Sequence, residues 1–355
     1  MLLWFGMNAG FDWGCTVRLF GGWMRARAPL LAVPLAGALL VCLRGLPAIE
    51  AGSLPALPGN ILIADAGNNR IIEVTPDKRV AWEFPRPGDL APGESFYYPD
   101  DAFYTPGGHT IITNEEENHV VSIIDYAAHK IIWRYGHAGR SGSAPGYLNT
   151  PDDAYQLPDG RITVADIKNC RILIFDPPPA RHIQKQFGVT RDCRAAPGHF
   201  LYPNGDTPLP NGHILVTEIG TRSASELDPA TGQILYRVSL HVAYPSDTQL
   251  TRDGQYLVVD YSRPGQVVVV DRSGKTTWSY GPRSGPGRLD HPSLTLELPS
   301  GDFLLNDDLN HRVIVLSRST KRILWQYGVT GVAGRAPGYL HTPDGVDVKP
   351  ATFGR

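Results

Sequence analysis

The amino-acid sequence predicts an all-β fold, a six-bladed β-propeller built from four-stranded antiparallel blades. One segment recurs along the chain, reading GNILIADAGNNR from Gly59, GRITVADIKNCR from Gly160 and GDFLLNDDLNHR from Gly301. Looser copies begin at Gly108, Gly212 and Gly254. The repeated glycines are 42 to 52 residues apart, which is the length of a four-stranded propeller blade. Six copies therefore predict six blades in one ring.

Each copy contains four short strand-like runs with turn signals between them. In the second copy the runs are 100–105, 109–114, 120–125 and 130–135. The first two runs are joined by tight turns such as LPDG ending at Gly160, where proline presets one dihedral angle and glycine accepts a positive φ. The fourth run carries a tryptophan in four copies, Trp82, Trp133, Trp278 and Trp325. One large aromatic ring at the same place in each of these four copies predicts packing between neighbouring blades.

The two ends of the repeat array are complementary. The first copy, from Gly59, supplies three strands and lacks the first strand of its blade, whereas TPDGVDVK at 342–349 is a first strand with nothing after it. Pairing the two closes the ring and removes the exposed edges that an open array would have. No linker interrupts the array, so we predict one propeller domain over 52–355.

The N-terminal 51 residues differ from the rest. Arg25 and Arg27 precede an apolar run over 28–43 and a small-residue stretch follows, the pattern of a secretory signal, with Met24 a candidate start. Sixteen apolar residues are few for a spanning helix, yet a retained N-terminal membrane anchor is the alternative. We therefore expect a secreted or extracytoplasmic protein, freed or anchored by this segment, which would be its only link to a membrane.

Charge and cysteine content narrow the class of protein. The formal net charge is −2 and no basic patch is visible, so nucleic acid is not an expected partner. Outside the N-terminal segment only Cys170 and Cys193 remain, and two thiols in an exported chain usually pair. We predict a disulfide between them, with two free cysteines as the alternative.

The repeat resembles that of the NHL-repeat β-propellers. The shared pattern is D-x-x-N-x-R followed by P-G-Y-L-x-x-P-D, and it covers most of 59–350. It is strongest at Asp65, Asp166 and Asp307, and degraded in the copies around 114–119 and 218–222. Hairpins such as DRSGKTTW at 271–278 are also similar to quinone-cofactor propeller repeats, although those proteins typically have eight blades. The resemblance implies a fold that hosts lyases, hydrolases, sensors and binding modules.

Strand order predicts where a site would lie. First strands start, and second strands end, at the same face of the ring, and the longer loops at 137–150 and 328–342 lie there too. The residues that follow the repeated prolines should ring the channel mouth at that face: Asp100, Asp152, Asn204, Ser246, Ser293 and Asp344, with Asp247 as a neighbour. Clustered carboxylates are costly unless a cation offsets their repulsion.

These positions provide the candidate site. We predict metal ligation by Asp100, Asp152 and Asp344, and because the donors are all oxygens, calcium is favoured over zinc. Asn204, Ser246, Asp247 and Ser293 are the candidate ligand-binding residues. The alternative is structural, since Asp after Pro caps its own turn.

A second set of polar residues ends the second strands and is predicted to be structural. Its members are Asp65, Asn114, Asp166, Glu218, Asp260 and Asp307. The run Glu115-Glu116-Glu117 beside it is predicted to be a solvated loop.

Histidines supply the candidate catalytic groups. His291 directly precedes Pro292, and His341 lies two residues before Pro343, so both could face the mouth. The NHL-like amidating lyases hold zinc through histidines at the channel end of the inner strands, which makes a zinc site with His291 and His341 an alternative. The family resemblance to these lyases would imply a histidine directly after repeated prolines, and this sequence has no histidine at those positions.

Three functions remain open. The first is an exported monomeric module that binds a small or cationic ligand at the acidic mouth, with a divalent metal. The second is a metal-dependent lyase or hydrolase with His291 or His341 as base. The third is a protein-interaction scaffold.

Overall fold

The structure is a computed structural model that describes residues 57–353. It confirms six four-stranded antiparallel sheets in a ring. The predicted N-terminal signal or anchor at 1–51 lies outside the described residues and stays a prediction. No helix within 57–353 is long and apolar enough to cross a lipid bilayer.

The strands are numbered in chain order and each blade is given from the channel outwards. Blade 1 is β24 (Pro343–Val348), β1 (Ile61–Asp65), β2 (Arg70–Val74) and β3 (Val80–Phe84), blade 2 is β4 (Ala102–Tyr104), β5 (Thr110–Glu115), β6 (Val120–Asp125) and β7 (Lys130–Gly136), and blade 3 is β8 (Pro151–Gln156), β9 (Ile162–Asp166), β10 (Arg171–Phe175) and β11 (Ile183–Phe187). Blade 4 is β12 (Pro203–Pro208), β13 (Ile214–Glu218), β14 (Ser223–Leu227) and β15 (Ile234–Ser239), blade 5 is β16 (Pro245–Leu250), β17 (Tyr256–Asp260), β18 (Gln266–Val270) and β19 (Thr276–Tyr280), and blade 6 is β20 (Thr295–Glu297), β21 (Phe303–Asp307), β22 (Arg312–Leu316) and β23 (Ile323–Gly328). Short 3-10 helices follow the second strands of blades 1, 2, 3 and 6, at Ala66–Asn68, Glu116–Asn118, Ile167–Asn169 and Asp308–Asn310.

The predicted closure of the ring is confirmed. Strand β24 pairs antiparallel with β1, with Ile61 opposite Val348 and Ile63 opposite Val346. The chain that ends the array thus completes the blade that began it, and blade 1 has the same four strands as the other five blades. A closed ring leaves no open sheet edge at the junction.

The tryptophans of the fourth strands join neighbouring blades, as predicted. Trp133 and Trp325 are almost fully buried in the apolar core. Each indole N–H donates to a carbonyl of a third-to-fourth-strand hairpin in the next blade, Trp133 to Ala180 at 2.7 Å and Trp325 to Pro76 at 2.9 Å. Each tryptophan side chain therefore buries apolar surface between two blades while its indole N–H has a hydrogen-bond acceptor.

The predicted disulfide is present. Cys170, which is fully buried, is bonded to Cys193 with their Cα atoms 5.3 Å apart, and the bond ties the end of the 3-10 helix in blade 3 to the loop before blade 4. Disulfides are characteristic of proteins in oxidising compartments.

Removing this bond is expected to destabilise the propeller. The residues are 23 positions apart, and in the chain-entropy model a loop of that length contributes roughly 3 kcal/mol, which corresponds to about 6 °C of melting temperature. We expect the Cys170→Ala, Cys193→Ala double variant to melt lower by that amount in thermal denaturation followed by circular dichroism. A reductant should lower the melting temperature of the parent and leave that of the variant unchanged; equal melting of parent and variant would contradict the expectation.

Candidate functional site

The residues that follow the repeated prolines meet at one end of the central channel, here called the mouth. Hydrogen bonds link several of them across blade boundaries. The Asn204 side chain donates to the Asp152 carboxylate at 2.6 Å and to the Ser246 carbonyl at 2.8 Å. On the other side of the mouth, the Ser293 hydroxyl donates to the Asp344 carbonyl at 2.6 Å.

The turn into each inner strand positions these side chains. Five of the six residues that precede the repeated prolines have a left-handed backbone, at Tyr98, Thr150, Tyr202, His291 and Thr342, with φ between 49° and 61°. Such a conformation in a residue with a side chain costs on the order of 1 kcal/mol and persists only where the surrounding structure enforces it. The mouth is therefore built from turns held by tertiary contacts.

Three carboxylates at the mouth are close enough to share one cation. Asp100, Glu116 and Asp152 each place a carboxylate oxygen within 4.8 Å of the other two. Asp100 is buried and the other two are half-buried. Two of the three predicted metal ligands are thus brought together, and the third partner is a glutamate that the sequence pattern assigns to a solvated loop.

The third predicted metal ligand, Asp344, lies beside this group. It has Asp100 and Asp308 as close carboxylate neighbours. Asp308 is fully buried, and one of its oxygens has no hydrogen-bond partner within 57–353. The mouth therefore contains five carboxylates from blades 1, 2, 3 and 6.

Burial and mutual repulsion raise the pKa values of these acids. Burial, followed by the charge of Asp344, holds the pKa of Asp100 well above its usual range. Burial raises the pKa of Asp344 to about 6, and burial with the charge of Glu117 raises the pKa of Glu116 to about 8. Carboxylates in this state release protons when a cation binds.

The register of the second-strand ring differs from the prediction at one position. Glu115, not Asn114, corresponds to Asp65, because it ends β5 and accepts from the Asn118 side chain three residues later, as Asp65 accepts from Asn68. Asn114 instead faces the mouth and donates to the Asp100 carboxylate at 3.0 Å. The regular spacing of Asn118 was the sequence signal for this assignment.

Three other members of that ring make structural contacts, as predicted. Asp65, Asp166 and Asp307 each pair with the arginine five residues on, at 2.7 to 2.8 Å, and each accepts a hydrogen bond from the asparagine three residues on. These buried contacts fix the loop after the second strand, and the arginine neutralises the charge of the carboxylate.

Three tyrosines surround the acids. Tyr98 and Tyr261 are half-buried and Tyr244 is partly exposed. Their pKa values are all raised, first by burial and then by mouth carboxylates that include Asp100 and Asp344. The Tyr244 and Tyr261 rings lie 5.6 Å apart between centroids. Sequence reasoning missed this rim, and the signal that could have found it is the position before the repeated prolines, which Tyr98 and Tyr244 occupy.

The candidate catalytic histidines lie apart from the acid group. His291 is 2.7 Å from Asp290 through Nδ1, and its ring is 4.9 Å from that of Tyr261. His341 has its ring 5.5 Å from that of His311. Across 57–353, neither group of three close acidic, histidine or cysteine donors contains a histidine.

Of the predicted ligand-binding residues, Asn204, Ser246 and Ser293 lie in the mouth ring and are buried. Asp247 lies one residue further down its strand, among a deeper set of carboxylates. Cavities of about 720 and 810 Å³ lie outside the mouth, and residues that line them include Tyr135 and Phe200, respectively.

Comparisons with known proteins support the fold alone. A crystal structure of a protein of unknown function from Bacteroides caccae is similar with a TM-score of 0.56 and 16% identity, over 81% of this chain and 97% of that one. A catalytically inactive virginiamycin B lyase from Staphylococcus aureus with quinupristin gives 0.46 and 16%, over 64% and 69%, and the dihydro-heme d1 dehydrogenase NirN gives 0.46 and 12%, over 87% and 79%. No protein-family model and no curated protein matches this chain.

Proposed function

We propose that this chain is an exported ligand-binding propeller, related to the NHL type, whose mouth binds a small cation. The metal ligands are Asp100 and Asp152, as the sequence predicts, joined by Glu116 and with Asp344 beside them. The observation that supports this most is the approach of three carboxylate oxygens from blades 2 and 3 within 4.8 Å of one another. The disulfide supports the extracytoplasmic location.

The donor set favours a hard cation. Carboxylate oxygens bind calcium or magnesium well, whereas zinc prefers imidazole and thiolate, which the three-donor groups within 57–353 lack. Calcium accepts irregular geometry and many oxygens, which suits acids from different blades. Calcium is therefore the proposed metal.

The tyrosine rim favours a second candidate, an organic cation. Aromatic faces beside carboxylates bind ammonium groups through both charge and cation–π attraction. Tyr98, Tyr244 and Tyr261 provide such faces next to Asp100 and Asp344. An organic cation would occupy the mouth in place of the metal or above it.

Catalysis and scaffolding remain as alternatives to a pure binding role. A metal-dependent lyase or hydrolase would need His291 or His341 to reach a substrate held by the mouth acids. The pairing of His291 with Asp290 is compatible with a base oriented by a carboxylate. A scaffold would need neither the acids nor the histidines.

The mouth acids are expected to control cation binding. We expect the Asp100→Asn, Glu116→Gln double variant to lose calcium affinity at the mouth by at least about 100-fold, the equivalent of about 2.7 kcal/mol, measured by isothermal titration calorimetry on the full propeller. Asp159→Asn is the matched control, because Asp159 is an exposed acid paired with Arg161 in the β8–β9 turn, away from the mouth. Titration with tetramethylammonium chloride tests the organic-cation candidate.

The outcomes separate the candidates. Calcium binding that depends on Asp100 and Glu116 supports the metal proposal, and tetramethylammonium binding that is lost in Tyr244→Ala supports the organic cation. If the parent protein bound neither cation, a cation site at the mouth would be ruled out and the scaffold would remain as the function. Activity screening with His291→Ala then distinguishes enzyme from binder.

A further inference from the structure

A second layer of carboxylates lies beneath the mouth. It is formed by residues one or more positions further along the inner strands: Asp101, Asp153, Asp206 and Asp247. All four are buried, and none forms an ion pair with a lysine, arginine or histidine within 57–353. Burial raises the pKa of each of them, and repulsion from neighbouring carboxylates raises the pKa of Asp101, Asp206 and Asp247 further.

Three oxygens of this region converge on one small space. Gly205 has no side chain, and a Cβ atom there would lie 2.9 Å from Asp247 Oδ1, 3.0 Å from Thr217 Oγ1 and 3.2 Å from Asp153 Oδ2. The three donors belong to β16, β13 and β8, which are in three successive blades. The glycine therefore leaves open a space that oxygens surround from three sides.

One group that faces this space, and one on the residue next to Gly205 in the chain, lack the partner that buried polar atoms normally have. The Thr217 hydroxyl and one oxygen of Asp206 are fully buried and have no hydrogen-bond partner in the described chain. The Thr217 hydroxyl is one of the three oxygens that face the Gly205 space. Leaving such atoms unsatisfied costs roughly 1–3 kcal/mol each, so a bound species that contacts them would be stabilising.

We propose that this layer contains a second cation site, a buried one that binds calcium through Asp153, Asp247 and Thr217. Carboxylate and hydroxyl oxygens are donors suited to a hard cation, and water would complete the coordination that calcium requires. Because Gly205 has no side chain, the oxygens of the three neighbouring strands can approach a common ion. The buried site is separate from the mouth site and does not depend on it.

The two sites are adjacent. Asp152 belongs to the mouth group with Asp100 and Glu116, and also lies within 4.8 Å of carboxylate oxygens of Asp101 and Asp153. Variants of Asp152 therefore disturb both sites and cannot tell them apart. Asp100 and Glu116 affect the mouth alone, whereas Thr217 and Gly205 affect the buried site alone.

The experiment counts calcium ions on the full propeller. The parent, the Asp100→Asn, Glu116→Gln variant and the Thr217→Val variant are loaded with calcium, desalted and measured by elemental mass spectrometry, with folding checked by circular dichroism. We expect two ions per chain in the parent and one in each variant. Gly205→Ala should also retain one ion, while Gly107→Ala, where an added methyl group meets nothing within 4 Å, should keep two.

The results distinguish failure of either site. One ion in the parent that is lost in Thr217→Val but kept in Asp100→Asn, Glu116→Gln would support the buried site and reject the mouth metal. If the Asp100→Asn, Glu116→Gln variant carried no calcium, the buried site would be overturned, whether or not the other variants fold. The buried site would also be overturned if Thr217→Val and Gly205→Ala both carried as many ions as the parent.

Discussion

At about pH 7.5, saturating calcium is expected to raise the melting temperature of this propeller by roughly 5 °C, and at about pH 5 by much less. A ligand that binds only the folded state at about 100 times its dissociation constant adds about 2.7 kcal/mol to the free energy of unfolding. Differential scanning calorimetry of the calcium-free and calcium-loaded protein at both pH values measures the effect.

The direction in which the free energy of unfolding changes with pH follows from the raised pKa values of the channel acids. Burial raises the pKa of Asp153 and of Asp344 to about 6, and that of Glu116 to about 8, so the folded protein binds more protons than the unfolded chain above about pH 4. Without calcium, the free energy of unfolding should therefore fall as the pH rises from about 4 to about 8.

Calcium acts on the ionised form of these acids and should offset that loss. A melting temperature that stays flat between the two pH values without metal would contradict the raised pKa values. A calcium shift that is equal at both pH values would contradict binding through these carboxylates. The double variant Asp100→Asn, Asp152→Asn should show a smaller shift than the parent at about pH 7.5.

Replacing Arg312 is expected to destabilise the fold by about 3–5 kcal/mol. Its side chain is 1% exposed, and its Nε lies 2.7 Å from the fully buried Asp307 carboxylate. Its guanidinium also donates to the Pro286 and Arg288 carbonyls. An Arg312→Leu variant leaves the Asp307 charge buried without its ion-pair partner, and urea denaturation measures the cost.

The matched control is an arginine in an exposed pair. Arg161 contacts Asp159 at 2.8 Å in a solvent-facing turn, where an ion pair contributes about 0–1 kcal/mol. Arg161→Leu should therefore change the free energy of unfolding little. Similar losses for the two variants would mean that the buried pair does not stabilise the loop after β21. Adding Asp307→Asn to Arg312→Leu should recover part of the lost stability, because it removes the unpaired charge.

Sequence reasoning located strands well where local patterning defines them. In blade 2 the predicted runs 120–125 and 130–135 differ from β6 and β7 by at most one residue. The predicted run 100–105 shortens to β4, Ala102–Tyr104, and at its start the Asp101 N–H donates to the Asn114 side chain rather than to a backbone carbonyl. Strand boundaries depend on hydrogen bonds across the sheet, and only a partner strand supplies those.

The candidate site was predicted in part. The position after each repeated proline was sufficient to place Asp100, Asp152 and Asp344 at the mouth. Glu116 was missed, because the loop that carries it lacks the arginine of the D-x-x-N-x-R pattern, and Glu115 bonds Arg134 of β7 instead. A degraded copy shifts the register by one residue, and one residue separates a buried structural carboxylate from a carboxylate at the mouth.

The sequence by itself determined the six blades, the closure of the ring by β24 and the face on which a site would lie, because these follow from repeated local patterns of strands, turns and glycines. Only the tertiary structure decided which oxygens share a space. Asp153, Thr217 and Asp247 are separated by tens of residues in sequence, and they converge at Gly205 because three blades present neighbouring strands to one channel. Distances of this kind arise from the radius and closure of the ring, which no single repeat contains.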